Sequence, residues 1–292
     1  MLLLSLPRDY DPAVFAELAA LDKTVTGEVM HYFHAAVVAR YGAEFTTWAC
    51  SPVNQPFIDE KALAQFPNLR ILATASTGTN HIDLDACAAR GIKVLSLLDD
   101  RAGLNTISAS AEWTFKLILD GLRLKKPYHE LQGLTVGLVG WGRIGKLIQL
   151  WAGAFGAIVP YKHDPYDSWA LSGLDEVFTA NVVVICCALT DETRGMITYD
   201  LLRRLPPDAV LVNTARGEVI NENDLCRFMA ARPDVRVCLD VVTGEVNGTA
   251  NPERLRALGA LVTDHIAGET YESRTKAARI ILGLLKKEMV KA

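Results

Sequence analysis

The sequence predicts an α/β protein built from two doubly wound parallel sheets, each with its own hydrophobic core. Short apolar runs alternate with helical patterns along all 292 residues, and this alternation is typical of βαβ units. The length suits two domains of about 150 residues each. Half of the residues (50%) are hydrophobic and 22% are charged, which is the balance of a well-packed globular protein.

The charge and the cysteines exclude several classes of protein. The formal net charge is −4, and no run of lysine and arginine is long enough to indicate a nucleic-acid surface. No stretch of about 18 apolar residues occurs, so we expect no membrane partner, and the short apolar N-terminus favours a cytoplasmic protein over a secreted one. None of the six cysteines forms a C-x-x-C pair. We therefore expect reduced, buried thiols and no metal, with a metal site or a disulfide framework as the alternative.

Residues 1–102 predict one α/β unit. Strands are expected at Leu2–Leu6, Thr46–Cys50, Ile71–Thr74 and Lys93–Ser96. Helices are expected at Pro12–Leu21 and Asp83–Ala89. Gly91 follows the second helix at the position where a left-handed residue commonly ends a helix.

The rest of the chain predicts a second unit and a last helix. A long helix is expected from Ser108 to Leu124, where apolar residues recur three and four positions apart. Six strands are then expected at Thr135–Val139, Ala157–Val159, Val182–Cys186, Ala209–Asn213, Val235–Asp240 and Leu261–Thr263. Six strands suffice for a sheet of two mononucleotide-binding halves. The segment Glu269–Lys287 predicts a final amphipathic helix.

The strongest local signal is a G-x-G-x-x-G motif at Gly140, Gly142 and Gly145. An apolar strand precedes the motif and a helical pattern follows it, as a dinucleotide-binding turn requires. The first glycine permits the tight turn, the second lets a pyrophosphate approach, and the third lets the helix pack on the strand. The free N–H groups of the helix N-terminus favour the phosphates. The motif predicts a bound dinucleotide, and a glycine-rich turn without a ligand is the alternative.

Asp164 predicts which dinucleotide is bound. It lies 24 residues after Gly140 (164 − 140 = 24), where an acid commonly accepts hydrogen bonds from a ribose diol. A carboxylate there also repels a 2′-phosphate, so NAD is favoured over NADP. Lys162 and His163 precede the acid and would weaken this preference. Asp164 would also serve as a plain turn residue, because a proline follows it.

Three polar segments follow apolar strands of the second unit, and they contain Arg216, then Asp240 with Glu245, then Asp264 with His265. Ligands of open α/β sheets bind outside the carboxyl ends of the strands, so these side chains are expected to face one crevice. A histidine supplies a proton near neutral pH, a neighbouring carboxylate raises its pKa and orients it, and a guanidinium binds a carboxylate. Each residue taken singly is also compatible with a structural role. Together they predict an enzyme that reduces a ketone of a carboxylic acid.

The order of these motifs resembles that of the D-isomer-specific 2-hydroxyacid dehydrogenases. The resemblance runs from about Leu69 to Gly268. The segments that carry it are 73–83, 110–114, 140–145, 164–166, 189–193, 213–217, 240–245 and 264–267.

The resemblance implies an NAD-dependent 2-oxoacid reductase. His265 would be the acid/base, Glu245 its partner, and Arg216 the group that binds the substrate carboxylate, with help from backbone N–H groups of Thr77 and Gly78. Asp240 would hold the nicotinamide carboxamide. The cofactor-binding residues implied are Gly140, Trp141, Gly142, Arg143, Ile144, Gly145, Asp164, Thr190, Thr214, Ala215 and Asp240.

The same resemblance implies two discontinuous domains and a homodimer. Residues 103–264 would form a Rossmann-type NAD-binding domain, and residues 1–102 with 265–292 a flavodoxin-like substrate domain. The helix from Ser108, with Trp113 and Phe115, would form the dimer contact. Burial of both faces of this helix within one subunit is the alternative.

Departures from the family leave the substrate open. Ser76, Asn80 and Asp264 stand where the family commonly has other residues, and the first seventy residues match poorly. A phosphorylated acid is therefore among the candidates. The alternative function is an NAD(H)-sensing binding or scaffold protein on the same fold, because fold does not fix function.

Overall fold

A computed structural model describes residues 1–6, 11–26, 38, 40–52, 57–246 and 248–289 of the chain. Contacts between Cα atoms divide the chain into two compact units. The first unit combines Met1–Ile107 with the segment that begins at Glu269, and the second unit is Ser108–Gly268.

These boundaries differ by a few residues from those expected at 102 and 265, and packing explains both differences. Leu104 and Ile107 are buried in the core of the first unit. The backbone that follows His265 is hydrogen-bonded to Asp240 in the second unit, which keeps the histidine loop with that sheet. That the first unit is the substrate domain stays a prediction.

The first unit contains a parallel sheet with the strand order β2-β1-β3-β4-β5, which is the flavodoxin-like order. Its strands are β1 Leu2–Ser5, β2 Thr24–Thr26, β3 Thr47–Cys50, β4 Ile71–Thr74 and β5 Lys93–Leu95. The sequence predicts all of them within one residue at each end, except β2. That strand has three residues, too few for a periodic pattern to identify.

Helices cover the sheet of the first unit on both faces. They are α1 Pro12–Ala19, α2 Glu60–Leu63, α3 Leu84–Ala89, α4 Arg101–Leu104 and α11 Tyr271–Met289. Leu2 and Leu4 of β1 pack in one core with Ile281 of α11, whereas Leu3 packs in the opposite core with Trp48. This alternation follows from the two-residue repeat of a strand. As predicted, a left-handed glycine follows α3, with φ +68°.

The second unit contains a parallel sheet with the order β11-β10-β9-β8-β6-β7. Its strands are β6 Thr135–Val139, β7 Ile158–His163, β8 Val182–Ile185, β9 Val210–Asn213, β10 Arg236–Leu239 and β11 Leu261–Val262. The sequence predicts all of them, but β7 continues four residues beyond the expected end. The strand ends with the polar residues Lys162 and His163, so the apolar pattern of the sequence does not indicate that extension.

Buried residues of the second sheet alternate between two cores. Val182 and Val184 of β8 pack in the core that contains Phe115, and Val183 and Ile185 pack in the opposite core. The helices are α5 Ala109–Leu122, α6 Arg143–Ala154, α7 Leu174–Val177, α8 Tyr199–Leu202, α9 Glu222–Ala231 and α10 Pro252–Ala257. Both faces of the sheet are therefore covered, as the doubly wound class requires.

The first half of this sheet is shorter than a full mononucleotide-binding half. After β7 the chain makes an isolated antiparallel bridge between Leu171 and His163, and the next strand, β8, lies beside β6. The chain reverses its direction of winding between β6 and β8, which is where such sheets bind ligands. Among the helices that the structure describes, none has the length and hydropathy needed to cross a bilayer.

Candidate active site

The glycine-rich turn connects β6 to α6. Gly140 has φ +97°, and a Cβ there would lie 2.7 Å from the backbone nitrogen of Cys187. A Cβ on Gly145 would lie 2.5 Å from the carbonyl oxygen of Gly140, whereas one on Gly142 would meet no atom within 4 Å. Gly142 stands at the N-terminus of α6, which begins at Arg143. The turn thus leaves open space at a helix N-terminus, and this arrangement fits the pyrophosphate of a dinucleotide.

Asp164 directly follows β7 and contacts this turn. Its Oδ2 accepts a hydrogen bond from the backbone N–H of Trp141 at 3.0 Å. Its Oδ1 accepts the N–H of Tyr166 at 3.1 Å. The carboxylate is therefore fixed at the strand end next to the glycine turn, where the sequence predicts a ribose-binding acid.

The two basic residues before Asp164 both have partners within the second unit. The Lys162 ammonium lies 4.9 Å from the ring centroid of Trp141, a cation–π distance. His163 Nδ1 lies 2.8 Å from the carbonyl oxygen of Ser172. These contacts reduce the ability of both side chains to offset the charge of Asp164.

Other expected cofactor residues lie along the same edge of the sheet. Burial lowers the pKa of Arg143 at the start of α6. Ile144 packs partly buried against the core under α5. Thr190 lies beyond β8 in a turn, where its N–H donates to the Thr193 hydroxyl at 2.7 Å.

Thr214 and Ala215 follow β9, as expected, but several of their polar groups bond within the protein. The Thr214 hydroxyl lies 2.7 Å from that of Thr114 on α5. The N–H of Ala215 donates to the side chain of Asn213 at 3.0 Å. If Thr214 binds the cofactor through its hydroxyl, that hydroxyl also keeps its hydrogen bond to Thr114.

Arg216 comes next after β9. Its Nη1 donates to the carbonyl oxygen of Ala215 at 2.7 Å. Burial lowers the pKa of Arg216, and the carboxylates of Glu245 and Glu218 oppose that shift. Since a guanidinium titrates far above neutral pH, the side chain remains a cation close to Glu245.

Glu245 and His265 form a hydrogen-bonded pair. His265 Nδ1 lies 2.7 Å from Glu245 Oε2, and Glu245 Oε1 accepts the N–H of Val242 at 2.7 Å. The histidine backbone is left-handed, with φ +55°, which is uncommon outside glycine. The two side chains are 44% and 27% exposed. The imidazole is thus oriented through one nitrogen while its ring remains accessible to solvent.

Asp240 lies beneath the histidine loop and is fully buried. Its Oδ1 accepts the Thr263 hydroxyl at 2.6 Å and the N–H of Ile266 at 3.1 Å. Its Oδ2 accepts the N–H of Ala267 at 2.9 Å. These bonds hold the backbone that follows His265 and the side chain of Thr263, which precedes it. The expectation that Asp240 holds the nicotinamide carboxamide remains a proposal.

Asp264 lies on the solvent side of the same loop. Its side chain is 87% exposed, and its Oδ1 lies 3.2 Å from a guanidinium nitrogen of Arg256. The same arginine donates to the carbonyl oxygen of Val262 at 3.2 Å. Arg256 therefore connects α10 to the segment that leads to the histidine.

The loop after β4 carries the expected carboxylate donors of the first unit. The Ser76 hydroxyl donates to the carbonyl oxygen of Gly78 at 2.6 Å. The Thr74 hydroxyl lies 3.1 Å from that of Ser76 and 3.0 Å from His81 Nε2. This network orders the backbone around Thr77 and Gly78. Ser76, one of the departures from the family, is therefore part of the loop's own hydrogen bonding.

Two glutamates that the sequence analysis does not single out also touch the site. Glu222 and Glu218 accept backbone N–H groups of the turn before Glu245. In the sequence Glu222 follows Asn221 at the start of a helix, where an acid is usual. Only its hydrogen bond to the turn before Glu245 distinguishes Glu222 from an ordinary acidic residue in the first turn of a helix.

Comparison with known families identifies the chain. Residues 104–267 match the profile of the D-isomer specific 2-hydroxyacid dehydrogenase, NAD binding domain. The chain belongs to this family, so its second unit contains an NAD-binding domain and its cofactor is NAD. The proteins of this family are oxidoreductases.

Relatives in this family act on different acids. The chain is 30% identical over 262 residues to a protein named (S)-sulfolactate dehydrogenase from Chromohalobacter salexigens, covering 81% of this chain and 82% of that protein. It is also 30% identical over 245 residues to a D-3-phosphoglycerate dehydrogenase from Mycobacterium bovis. That match covers 75% of this chain but only 45% of the longer relative. The names differ in substrate, so they do not assign one here.

A solved structure supports the fold. It is a 3-phosphoglycerate dehydrogenase from Entamoeba histolytica, described as bound to NAD+. The TM-score is 0.82, with 24% identity, and the match covers 99% of this chain and 95% of that chain. At this identity the likeness establishes the fold alone.

Proposed function

We propose that this chain transfers a hydride between NAD(H) and a small 2-oxo or 2-hydroxy acid. The observation that carries the proposal is the 2.7 Å contact between His265 Nδ1 and Glu245 Oε2. Glu245 is itself held through its other oxygen, so the pair is rigid on the carboxylate side. A histidine oriented by a fixed carboxylate, in a family of oxidoreductases, is suited to move a proton to or from a substrate oxygen.

His265 serves as the acid/base in this proposal. Its Nδ1–H donates to Glu245, so Nε2 is the atom that exchanges a proton with the substrate. In the direction of reduction, Nε2 of the imidazolium protonates the carbonyl oxygen, and the ring becomes neutral. Glu245 accepts the hydrogen bond from Nδ1 and fixes the plane of the ring. NAD supplies the hydride acceptor or donor when it is bound.

Arg216 binds the substrate carboxylate. Its guanidinium keeps its charge and offers donors in a planar fork that matches a carboxylate. Its position directly beyond β9, at the carboxyl edge of the sheet, supports this role, because ligands of such sheets bind there. That the backbone N–H groups of Thr77 and Gly78 also bind the carboxylate stays a prediction.

Asp164 favours NAD over NADP. Both of its oxygens face backbone donors at the exit of β7, so the carboxylate has little freedom to move away from a 2′-phosphate. Gly142 at the N-terminus of α6 would receive the pyrophosphate. The strictness of the NAD preference is part of the proposal.

The decisive experiment is NADH oxidation with a panel of 2-oxo acids. The panel contains glyoxylate, hydroxypyruvate, pyruvate and a phosphorylated 2-oxo acid. We expect saturable turnover with at least one unbranched acid. NADH binding by calorimetry without turnover of any acid would instead favour the alternative function, an NAD(H)-sensing binding or scaffold protein.

We also propose a homodimer located in the cytoplasm. Phe115, expected at the contact, packs within the second unit against the rings of Trp151 and Phe155, at 5.9 and 5.1 Å between centroids. Leu150 and Phe155 nevertheless remain 65% and 53% exposed, so the second unit keeps apolar side chains that a partner subunit would cover. Light scattering at micromolar concentration tests the dimer, since a monomer mass would exclude it. Cell fractionation tests the location.

A further inference from the structure

The turn before Glu245 binds three glutamates through three successive backbone N–H groups. The donor–acceptor pairs are Val242 N to Glu245 Oε1 at 2.7 Å, Thr243 N to Glu222 Oε2 at 3.1 Å, and Gly244 N to Glu218 Oε1 at 3.3 Å. Gly244 has φ +87°, a conformation that few other residues adopt. Successive N–H groups in such a turn form a concavity that attracts anions. Here the anions are side chains of the protein itself.

The same turn determines where the catalytic pair lies. Glu245 contributes Oε1 to the turn and Oε2 to His265, so a shift of the turn moves the carboxylate that orients the imidazole. We propose that Glu222 and Glu218 are positioning residues for Glu245. This inference rests on the proposed function of His265 and Glu245, and it adds two residues that act through them.

The source of each glutamate explains how the turn is held. Glu222 is at the start of α9, which is packed in the core through Leu225 and Phe228. Glu218 is two residues after Arg216, in the short 3₁₀ helix at 217–219. One glutamate therefore fixes the turn to a buried helix, and the other fixes it to the segment of the carboxylate-binding arginine.

Backbone packing reinforces the second connection. A Cβ on Gly217 would overlap the carbonyl carbon of Val242, so the two backbones are in direct contact there. Glu218 then bonds to Gly244 two residues further along the turn. One glycine contact and one charged hydrogen bond thus connect the segment after Arg216 to the turn before Glu245. Hydrogen bonds to a charged acceptor are stronger than neutral ones, so a carboxylate suits this task.

The test compares Glu222→Ala with Glu222→Gln. Alanine removes the acceptor, and we expect kcat to fall by about 10- to 100-fold, the effect of displacing a catalytic group by around 1 Å. Glutamine keeps an acceptor oxygen, and we expect kcat within about threefold of wild type. The dissociation constant of NADH, measured by calorimetry, should not change in either variant. Glu218→Ala should act in the same direction with a smaller loss.

Glu176→Ala is the matched control. Glu176 also accepts a backbone N–H, that of Gly173 at 2.8 Å, but it caps α7 away from these contacts. We expect wild-type kcat in this variant with a similar change in thermal stability. If Glu222→Ala and Glu218→Ala both match this control in kcat, the inference is wrong. His265→Ala, measured in parallel, separates the two levels, because full turnover in that variant would overturn the proposed function itself.

Discussion

Two arginines at opposite edges of the second sheet, Arg236 and Arg216, differ in how far their charged groups are buried. Arg236 begins β10 at the amino edge of the sheet, and it is completely buried. Its guanidinium donates to backbone carbonyl oxygens of Asp208 at 2.6 Å and Lys125 at 3.0 Å, and to that of Pro127. Arg216 follows β9 at the carboxyl edge and is only partly buried.

The difference shows that a buried charge does not by itself mark an active site. At the amino edge the guanidinium of Arg236 connects loops and is sealed from solvent. At the carboxyl edge His265 is fixed on one side by Glu245, while its side chain remains 44% exposed. A group held in this way is oriented and still accessible to a ligand, which is what catalysis requires.

The largest effect should come from His265→Ala. We expect turnover to fall by about 10²- to 10⁴-fold, because a positioned proton donor is lost. The affinity for NADH should stay the same, since the imidazole serves the substrate oxygen. His129→Gln is the control for loss of a histidine elsewhere in the second unit. Equal kcat values for these two variants would contradict the acid/base assignment.

Lysine substitution at the two arginines tests the comparison directly. Arg216→Lys should lower kcat/KM by about 100-fold, because a point ammonium does not reproduce the planar fork, while the unfolding free energy stays near wild type. Arg236→Lys should do the reverse, losing about 1–3 kcal/mol of unfolding free energy through unpaired carbonyls. Urea unfolding and steady-state kinetics on both variants give the four numbers required. Loss of activity in a folded Arg236→Lys protein would break the comparison.

Asp240→Asn separates the two roles considered for that carboxylate. Because Asp240 holds the two backbone N–H groups that follow directly after His265, we expect kcat to fall by about 10-fold or more. A cofactor analogue with an acetyl group in place of the carboxamide provides the second readout. If Asp240 acts mainly on the histidine loop, the wild type and the Asp240→Asn variant should prefer NAD over this analogue to the same extent. A preference lost only in the variant would assign the carboxamide to Asp240.

Asp164→Ser should change cofactor preference by a moderate amount. The substitution removes both the repulsion toward a 2′-phosphate and the hydrogen bonds to the ribose diol, so the ratio of kcat/KM for NADH to NADPH should fall by about tenfold. Asp167→Ser, which removes a nearby carboxylate paired with Lys146, is the control. A wild-type protein that already prefers NADPH would show that Lys162 or His163 dominates the pocket.

The smallest effect concerns an ion pair at the amino edge. A hydrogen bond from Arg232 lowers the pKa of Asp234 to about 2, from an ordinary value of 3.8. A carboxyl group whose pKa is lowered in the folded state contributes to the free energy of unfolding above about pH 4. This contribution is lost as the pH falls from about 4 to about 2. Since the Asp234 side chain is 36% exposed, we expect at most about 1 kcal/mol. Asp234→Asn should therefore be less stable than wild type at pH 7 but equal near pH 2, whereas Asp200→Asn should match wild type at both.

The sequence by itself determined the class of fold, and it predicts most of the residues of the proposed site. Strand positions follow from apolar runs, which are local, and so the strands of both sheets are predicted except β2. The glycine turn and Asp164 follow from the spacing of a known motif. Arg216, Glu245 and His265 follow from their positions just beyond apolar strands, because all parallel strands of one sheet end at the same edge.

Only the tertiary structure decided how these groups are held. Asp240 bonds to backbone groups 26 and 27 residues away, and Glu222 bonds to one 21 residues away. The boundary that keeps His265 with the second sheet depends on those bonds as well. The physical reason is that periodicity and turn chemistry act over a few residues. The partner of a buried carboxylate, by contrast, is set by which distant backbone segments the packed sheet brings within about 3 Å of it.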